Sequence, residues 1–126
     1  MKAKNILVCI TQQKTCERLI REAAELRNES GGNLFVIHVV RNNLNFLDSA
    51  REGEALEYLF GISKSVGASL AVLKSDEIAS TVAAFAGENR IDCIIIGDSP
   101  SDRKDNPFKT ELERHLGGNV EIKIIP

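Results

Sequence analysis

The feature that most constrains the fold is a short run of large apolar residues at positions 91–97, Ile-Asp-Cys-Ile-Ile-Ile-Gly. Only Asp92 interrupts the run, and Gly97 ends it. A strand exposed on one face would carry a polar residue at every second position, so this run predicts a strand buried on both faces. Apolar residues at helical spacing precede it, namely Ile78, Val82, Ala83, Phe85 and Ala86. A helix that leads into a fully buried strand is half of a βαβ unit.

The rest of the chain repeats this alternation of strand and helix. Further strands are predicted at residues 6–10, 34–40, 69–73 and 120–125. The last of these alternates between apolar and polar residues over its first part, as a half-exposed edge strand does. Strands that alternate with helices predict an α/β fold with three layers, in which a five-stranded parallel open sheet lies between helices joined by right-handed crossovers. A length of 126 residues suits one domain, predicted to span residues 1–126.

Residues that favour helix starts stand between the predicted strands. The first helix is predicted to be capped by Thr15, and the second opens with Ser49 followed three residues later by Glu52, a capping box. Ser75 is the predicted cap of the third helix. Pro107 suits the first position of the fourth helix. The inner face of that last helix is predicted from the spacing of Phe108, Leu112, His115 and Leu116.

Composition excludes some classes of partner. The net charge is −2 without a large basic block and aromatic residues make up 5%, which argues against binding to a nucleic-acid backbone or to single-stranded bases. No apolar stretch approaches the length of a membrane span. The cysteines, Cys9, Cys16 and Cys93, form no C-x-x-C pair and suit a reducing compartment. We therefore expect a cytoplasmic protein that binds neither nucleic acid nor membrane.

The best place for a ligand is the edge formed by the carboxyl ends of the strands, where open α/β sheets bind their ligands. Two polar loops, 11–14 and 98–106, are predicted to leave the sheet there. Hydroxyl groups that can bond phosphate or ribose oxygens are carried by Thr11, Ser99 and Ser101. Phosphate charge can be neutralised by Lys14, Arg103 or Lys104, and backbone amides at the start of the first helix add to this. The alternative is a solvated loop beside an empty pocket.

Other reactive residues fit structural roles better. His38 ends an apolar strand and is interpreted as a packed histidine at the sheet end, because no triad spacing accompanies it. Cys9 and Cys93 are expected on neighbouring strands near the same edge, as buried and inert thiols. The acidic residues Asp98, Asp102 and Asp105 lack the spacing of a calcium loop. No catalytic residue and no metal site are predicted.

Three segments resemble the universal stress protein family: residues 5–10, 33–40 and, most specifically, 91–97. Residues 11–21 are similar to the universal-stress-protein-like domain of potassium-sensing histidine kinases, in which a Leu/Ile-Arg pair follows the same turn. The resemblance implies a Rossmann-like fold of the adenine nucleotide alpha hydrolase type, with strand order 3-2-1-4-5. It also implies a homodimer through the last strand, here residues 120–125, whose unpaired edge can accept another strand.

The resemblance further implies a site for ATP or AMP beyond strands one and four. The family's motif is Gly, two residues, Gly, nine residues, then Gly and Ser or Thr. Here Gly97 fits, but Pro100, Thr110 and Glu111 replace the later positions, and Thr11 replaces the family's usual Asp. Proline has no backbone N–H to offer a phosphate, so the resemblance implies weak or lost binding. Its candidate contacts are Thr11, Gln12, Val39, Gly97, Asp98, Ser99 and Ser101.

The function expected from these observations is a non-enzymatic stress-response or signalling module with weak or lost adenine nucleotide binding. One alternative is a slow ATP-hydrolysing enzyme that uses the hydroxyl and basic residues of the same two loops. Another is a protein-interaction module that serves a potassium or osmotic sensor, suggested by residues 11–21, with a protein signalling partner.

Overall fold

Strands and helices alternate throughout the computed structural model, which describes residues 4–10, 16–40, 49–97, 107–116 and 120–125. The elements are β1 (Ile6–Ile10), α1 (Cys16–Ser30), β2 (Leu34–Val40), α2 (Ser49–Ser65), β3 (Ser69–Lys74), α3 (Ile78–Glu88), β4 (Cys93–Gly97), α4 (Pro107–Leu116) and β5 (Glu121–Ile125). Every predicted strand and helix is present. The fourth strand begins two residues later than the apolar run, at Cys93.

The sheet is parallel, and its described strands follow the order β3-β2-β1-β4-β5, which confirms the expected topology. The central strand β1 pairs with β2 on one side, where Ile6 lies opposite Leu34, and with β4 on the other, where Ile6 lies opposite Cys93. All residues of β1 are buried, as its unbroken apolar sequence requires.

Two hydrophobic cores lie on the two faces of this sheet, because successive side chains of a strand point to opposite sides. One face, here called the α1 face, buries the even-numbered residues of β1 against α1 and against Leu59 of α2. The other, the α3 face, buries Leu7 and Cys9 against α3 and against Leu112 of α4. Helices therefore cover both faces, as the strand pattern predicts.

Asn5 joins three segments at the amino-terminal edge of the sheet. Its side-chain nitrogen donates to the carbonyl oxygens of Asn89 and Arg90, at 3.3 and 3.2 Å. Its side-chain oxygen accepts from the backbone and side chain of Asn33, at 3.4 and 3.2 Å. Its backbone N–H donates to the Asp92 carboxylate at 2.9 Å. One side chain thus fixes the start of β1 to the segments that lead into β2 and β4.

Two expectations about helices are wrong. Ser75 does not cap α3, since the N-cap position is Glu77, without a side-chain capping bond. Instead the Ser75 hydroxyl oxygen accepts from the Glu77 backbone N–H at 3.0 Å and closes a turn before the helix. His115 is exposed, whereas Leu112 is buried. At about 100° per residue, His115 lies about 60° from Leu112, on the flank of the helix. Thr15 and the side chains of Ser49, Glu52 and Phe108 lie outside the described part.

The expectation that the two strand cysteines share an edge is also wrong. Cys93 lies level with Ile6 at the amino-terminal ends of the strands, whereas Cys9 lies level with Ile96 near the opposite ends. The two thiols also point to opposite faces of the sheet. Both cysteines are buried and free, as predicted.

Candidate functional site

The carboxyl ends of β1 and β4 lie side by side. Cys9 pairs with Ile96, so the next residues, Ile10 and Gly97, end the two strands at the same level. On the other side of β1, Ile10 lies opposite His38 of β2. The strand that follows β1 in sequence, β2, pairs with one side of β1, and β4 pairs with the other side. The strand order therefore reverses at β1. The carboxyl end of β1 is thus the topological switch point, where open α/β sheets bind ligands.

His38 fastens the ends of β1 and β2 to each other. Its Nδ1 lies 3.0 Å from the carbonyl oxygen of Ile10. A carbonyl oxygen can only accept, so Nδ1 carries the hydrogen and donates it. The ring is half-buried. The structure therefore confirms His38 as a sheet-end histidine, here one that ties β2 to the last residue of β1.

The first turn of α1 carries a fixed negative charge at the same edge. The Glu17 carboxylate accepts a hydrogen bond from the Tyr58 hydroxyl at 2.6 Å and from Arg21 Nη2 at 2.8 Å. The Tyr58 hydrogen bond and then the Arg21 guanidinium lower the pKa of Glu17. The carboxylate also suits the positive end of the α1 dipole. This end of α1 is therefore a poorer phosphate site than its amides alone suggest.

Glu17 and Tyr58 were not among the residues that the sequence singled out for this edge. The spacing of Glu17 and Arg21, four positions apart, is the readable signal of a helix ion pair. The contact with Tyr58 spans 41 residues and two helices, and no local pattern shows it.

Two of the seven predicted nucleotide contacts lie within the described residues. Gly97 is half-buried at the end of β4 and pairs with Ile125. Val39 is 7% exposed and packs in the core of the α3 face. Thr110 and Glu111, which replace the third glycine of the motif and its hydroxyl residue, are exposed within α4. The other predicted contacts lie outside the described residues: Thr11, Gln12, Asp98, Ser99 and Ser101.

Metal-binding groups and membrane-spanning helices are both absent from the described part of the chain. It contains no group of three or more His, Cys, Asp or Glu residues that could hold a metal ion. None of its helices combines the length and the apolar character needed to cross a membrane.

The sequence profile of the universal stress protein family matches residues 2–125. This chain belongs to that family. Two solved universal stress proteins share its fold along almost their whole length. UspA from Lactobacillus plantarum is 17% identical, with a TM-score of 0.79 over 100% of this chain and 99% of that one. A universal stress protein from Archaeoglobus fulgidus in complex with dAMP is 22% identical, with a TM-score of 0.69 over 100% of both chains.

The curated relatives of this universal stress protein are much longer. The sensor protein KdpD of Mycobacterium tuberculosis, from two strains, is 25% identical over 101 residues, which cover 79% of this chain. The match covers 11% of KdpD, so the chain spans about a tenth of the length of the relatives it matches.

Proposed function

We propose that this universal stress protein is a non-enzymatic stress-response or signalling module whose binding of ATP or AMP is weak or lost. The observation that carries the proposal is the shared level at which β1 and β4 end, at Ile10 and Gly97, on the switch point of the sheet. A nucleotide there would lie between residues 11–14 and residues 98–106. The complex of the Archaeoglobus relative with dAMP supports a nucleotide of this class.

The departures at this edge support weak rather than tight binding. Pro100 lacks the backbone donor that a glycine at that position supplies. Thr110 lies inside α4, where a glycine turn would otherwise approach the phosphates. The Glu17 carboxylate repels a phosphate at the start of α1. The proposed contacts are the seven predicted residues, with hydroxyl groups from Thr11, Ser99 and Ser101 as the main donors.

The test is isothermal titration calorimetry of ATP, ADP and AMP, with and without magnesium. We expect dissociation constants weaker than 1 μM, which corresponds to a binding free energy smaller in magnitude than about 8 kcal/mol. The Thr11→Ala, Ser99→Ala double variant should weaken binding further. Ser69→Ala, at the exposed amino-terminal end of β3, is the matched control and should leave it unchanged.

Submicromolar binding would contradict the proposal of a degraded site. Absence of heat at high protein concentration would place the chain among members that act without nucleotide. Phosphate release from ATP above the level of the double variant would instead support the slow ATP-hydrolysing enzyme.

A second candidate is an interaction module for a potassium or osmotic sensor, favoured by the similarity to KdpD over 101 residues. In this proposal the chain contacts a protein signalling partner rather than a nucleotide. A pull-down from the native organism that recovers no sensor kinase would count against it.

The remaining proposals concern the whole chain. We propose a single domain over residues 1–126 that functions in the cytoplasm, in keeping with the free thiols of Cys9 and Cys93. We also propose a homodimer through residues 120–125, in which β5 pairs with its copy.

A further inference from the structure

A cavity of about 280 Å³ opens at the amino-terminal edge of the sheet, opposite the proposed nucleotide site. It lies where α1 ends at Ser30 and no longer covers the start of β5. Ile125 at the far end of β5 is buried in the core of the α1 face, whereas Glu121 and Lys123 on the same face of the strand are exposed. Its volume lies just below the range of about 300–1,000 Å³ that is usual for ligand pockets, so only a compact ligand would fit.

The floor of the cavity is apolar. Ile6 and Cys93 are buried members of the core, and Leu26 of α1 packs against that core. Burial raises the pKa of the Cys93 thiol above its ordinary value, and the Glu121 carboxylate adds to this effect. The thiol is therefore protonated and neutral at pH 7. An apolar ligand group placed against this floor is removed from water, which favours binding.

The rim carries two positive and two negative side chains: Lys4, Lys123, Glu29 and Glu121. All four are exposed, and none forms an ion pair within the part of the chain that the structure describes. Glu121 lies opposite Cys93 in the register of β4 and β5, and its Oε1 lies 4.0 Å from the Cys93 Sγ, so this carboxylate stands beside the floor. Both signs of charge are thus available to one ligand.

We propose that this cavity binds a small zwitterion with a compact apolar body, the class to which α-amino acids with large apolar side chains belong. The apolar body rests on Ile6, Leu26 and Cys93. The ligand carboxylate pairs with the lysine ammonium groups, and the ligand ammonium pairs with the glutamate carboxylates. A wholly apolar ligand would use none of the four charges, and an anion would use only the two lysines, whereas a zwitterion can pair with both signs.

The site is independent of the proposed nucleotide site. Cys93 begins β4 at the cavity and Gly97 ends the same strand at the nucleotide edge. At about 3.3 Å per residue, the two sites lie about 13 Å apart along the strand. Failure of nucleotide binding therefore leaves this proposal untouched, and the reverse also holds.

The first test is calorimetry of the full chain with L-leucine and L-phenylalanine. The comparison ligands are 3-phenylpropanoate, which lacks the ammonium group, and 2-phenylethylamine, which lacks the carboxylate. We expect the amino acids to bind and each comparison ligand to bind at least about tenfold more weakly, since hydrogen bonds to charged groups carry that difference. No heat at millimolar ligand, or equal binding of the three phenyl compounds, would overturn the proposal.

The second test locates the site. Lys123→Gln and Glu121→Gln should each weaken L-phenylalanine binding about tenfold, whereas Lys64→Gln, an exposed lysine of α2 outside the cavity, should not. Circular dichroism checks that the variants fold. Unchanged affinity in both charge variants would place the binding elsewhere and overturn the assignment.

Discussion

At the scale of single residues, the Cys9 thiol has a strongly raised pKa. Its thiol is buried on the α3 face, and burial raises its pKa from 9.0 to about 12. Below pH 9 the thiol is protonated in both the folded and the unfolded chain and contributes no pH dependence. Above pH 9 the unfolded chain releases this proton while the folded chain retains it, so the free energy of unfolding falls as pH rises toward 12.

The contribution of Cys9 should approach about 1.4 kcal/mol per pH unit above pH 9.5. Urea denaturation between pH 8 and pH 10.5 measures it. Other groups titrate in the same range, so the quantity to compare is the pH slope of the unmodified chain against that of Cys9→Ala. The variant should show a shallower slope, whatever its stability at pH 8. Equal slopes in the two proteins would contradict the prediction.

Sequence patterns at this scale predicted what is buried but not which residues lie together. The apolar runs around Cys9 and Cys93 correctly predicted buried, free thiols. Their placement at opposite ends of the sheet depends on the register between β1 and β4. Register is fixed by pairing between segments more than 80 residues apart in sequence, and an apolar run contains no information about it.

At the scale of elements, two glycines have opposite effects on stability. One is required because another backbone segment lies against it, and the other only destabilises its helix. Gly32, between α1 and β2, lies against the backbone of Lys4, and a Cβ there would overlap the Lys4 carbonyl oxygen. Gly61 is exposed on α2, and a Cβ there would meet no atom within 4 Å. Alanine is preferred over glycine in a helix interior by about 1 kcal/mol.

We therefore expect Gly61→Ala to raise the free energy of unfolding by about 1 kcal/mol. Gly32→Ala should lower it by about 1–3 kcal/mol, because β1 must shift away from the added methyl group. Urea denaturation of the two variants, side by side, checks the signs. A stabilising Gly32→Ala would show that the start of β1 yields without cost.

Elements were predicted well where a pattern extends over the whole segment, and poorly at their ends. The unbroken run of β1 and the alternation in β5 match the burial of both strands. The cap of α3 was misplaced because a serine before a helix can also close a turn on its own backbone, as Ser75 does. The two segments that would hold a nucleotide, 11–14 and 98–106, have no apolar periodicity. The sequence therefore indicates only which types of residue stand there.

At the scale of the whole molecule, the proposed homodimer depends on the outer edge of β5, the last strand in the described sheet. The Glu121 backbone N–H donates to Asp92, on the β4 side. Because successive N–H groups of a strand point to alternate sides, those of Ile122 and Ile124 point to the free edge. The strand alternates between exposed and half-buried residues up to Ile125. It can therefore pair with another strand without disturbing its ladder with β4.

We expect sedimentation equilibrium to give twice the chain's mass, and Ile124→Pro to give the mass of one chain. Proline removes one free-edge donor, and edge positions of this kind tolerate it. Ile124→Val keeps the donor and should remain dimeric, while circular dichroism reports whether each variant folds. A monomeric unmodified chain at high micromolar concentration would show that β5 is not an interface.

The bonds of Asn5 have a consequence for the growing chain. Its partners lie 28 residues away at Asn33 but 84 to 87 residues away at Asn89 and Asp92. During synthesis, β1 and β2 leave the ribosome together, long before β4 exists to cover the other side of β1. One edge of β1 therefore stays unpaired until β4 has been made, and an unpaired strand edge in an incompletely folded chain favours aggregation.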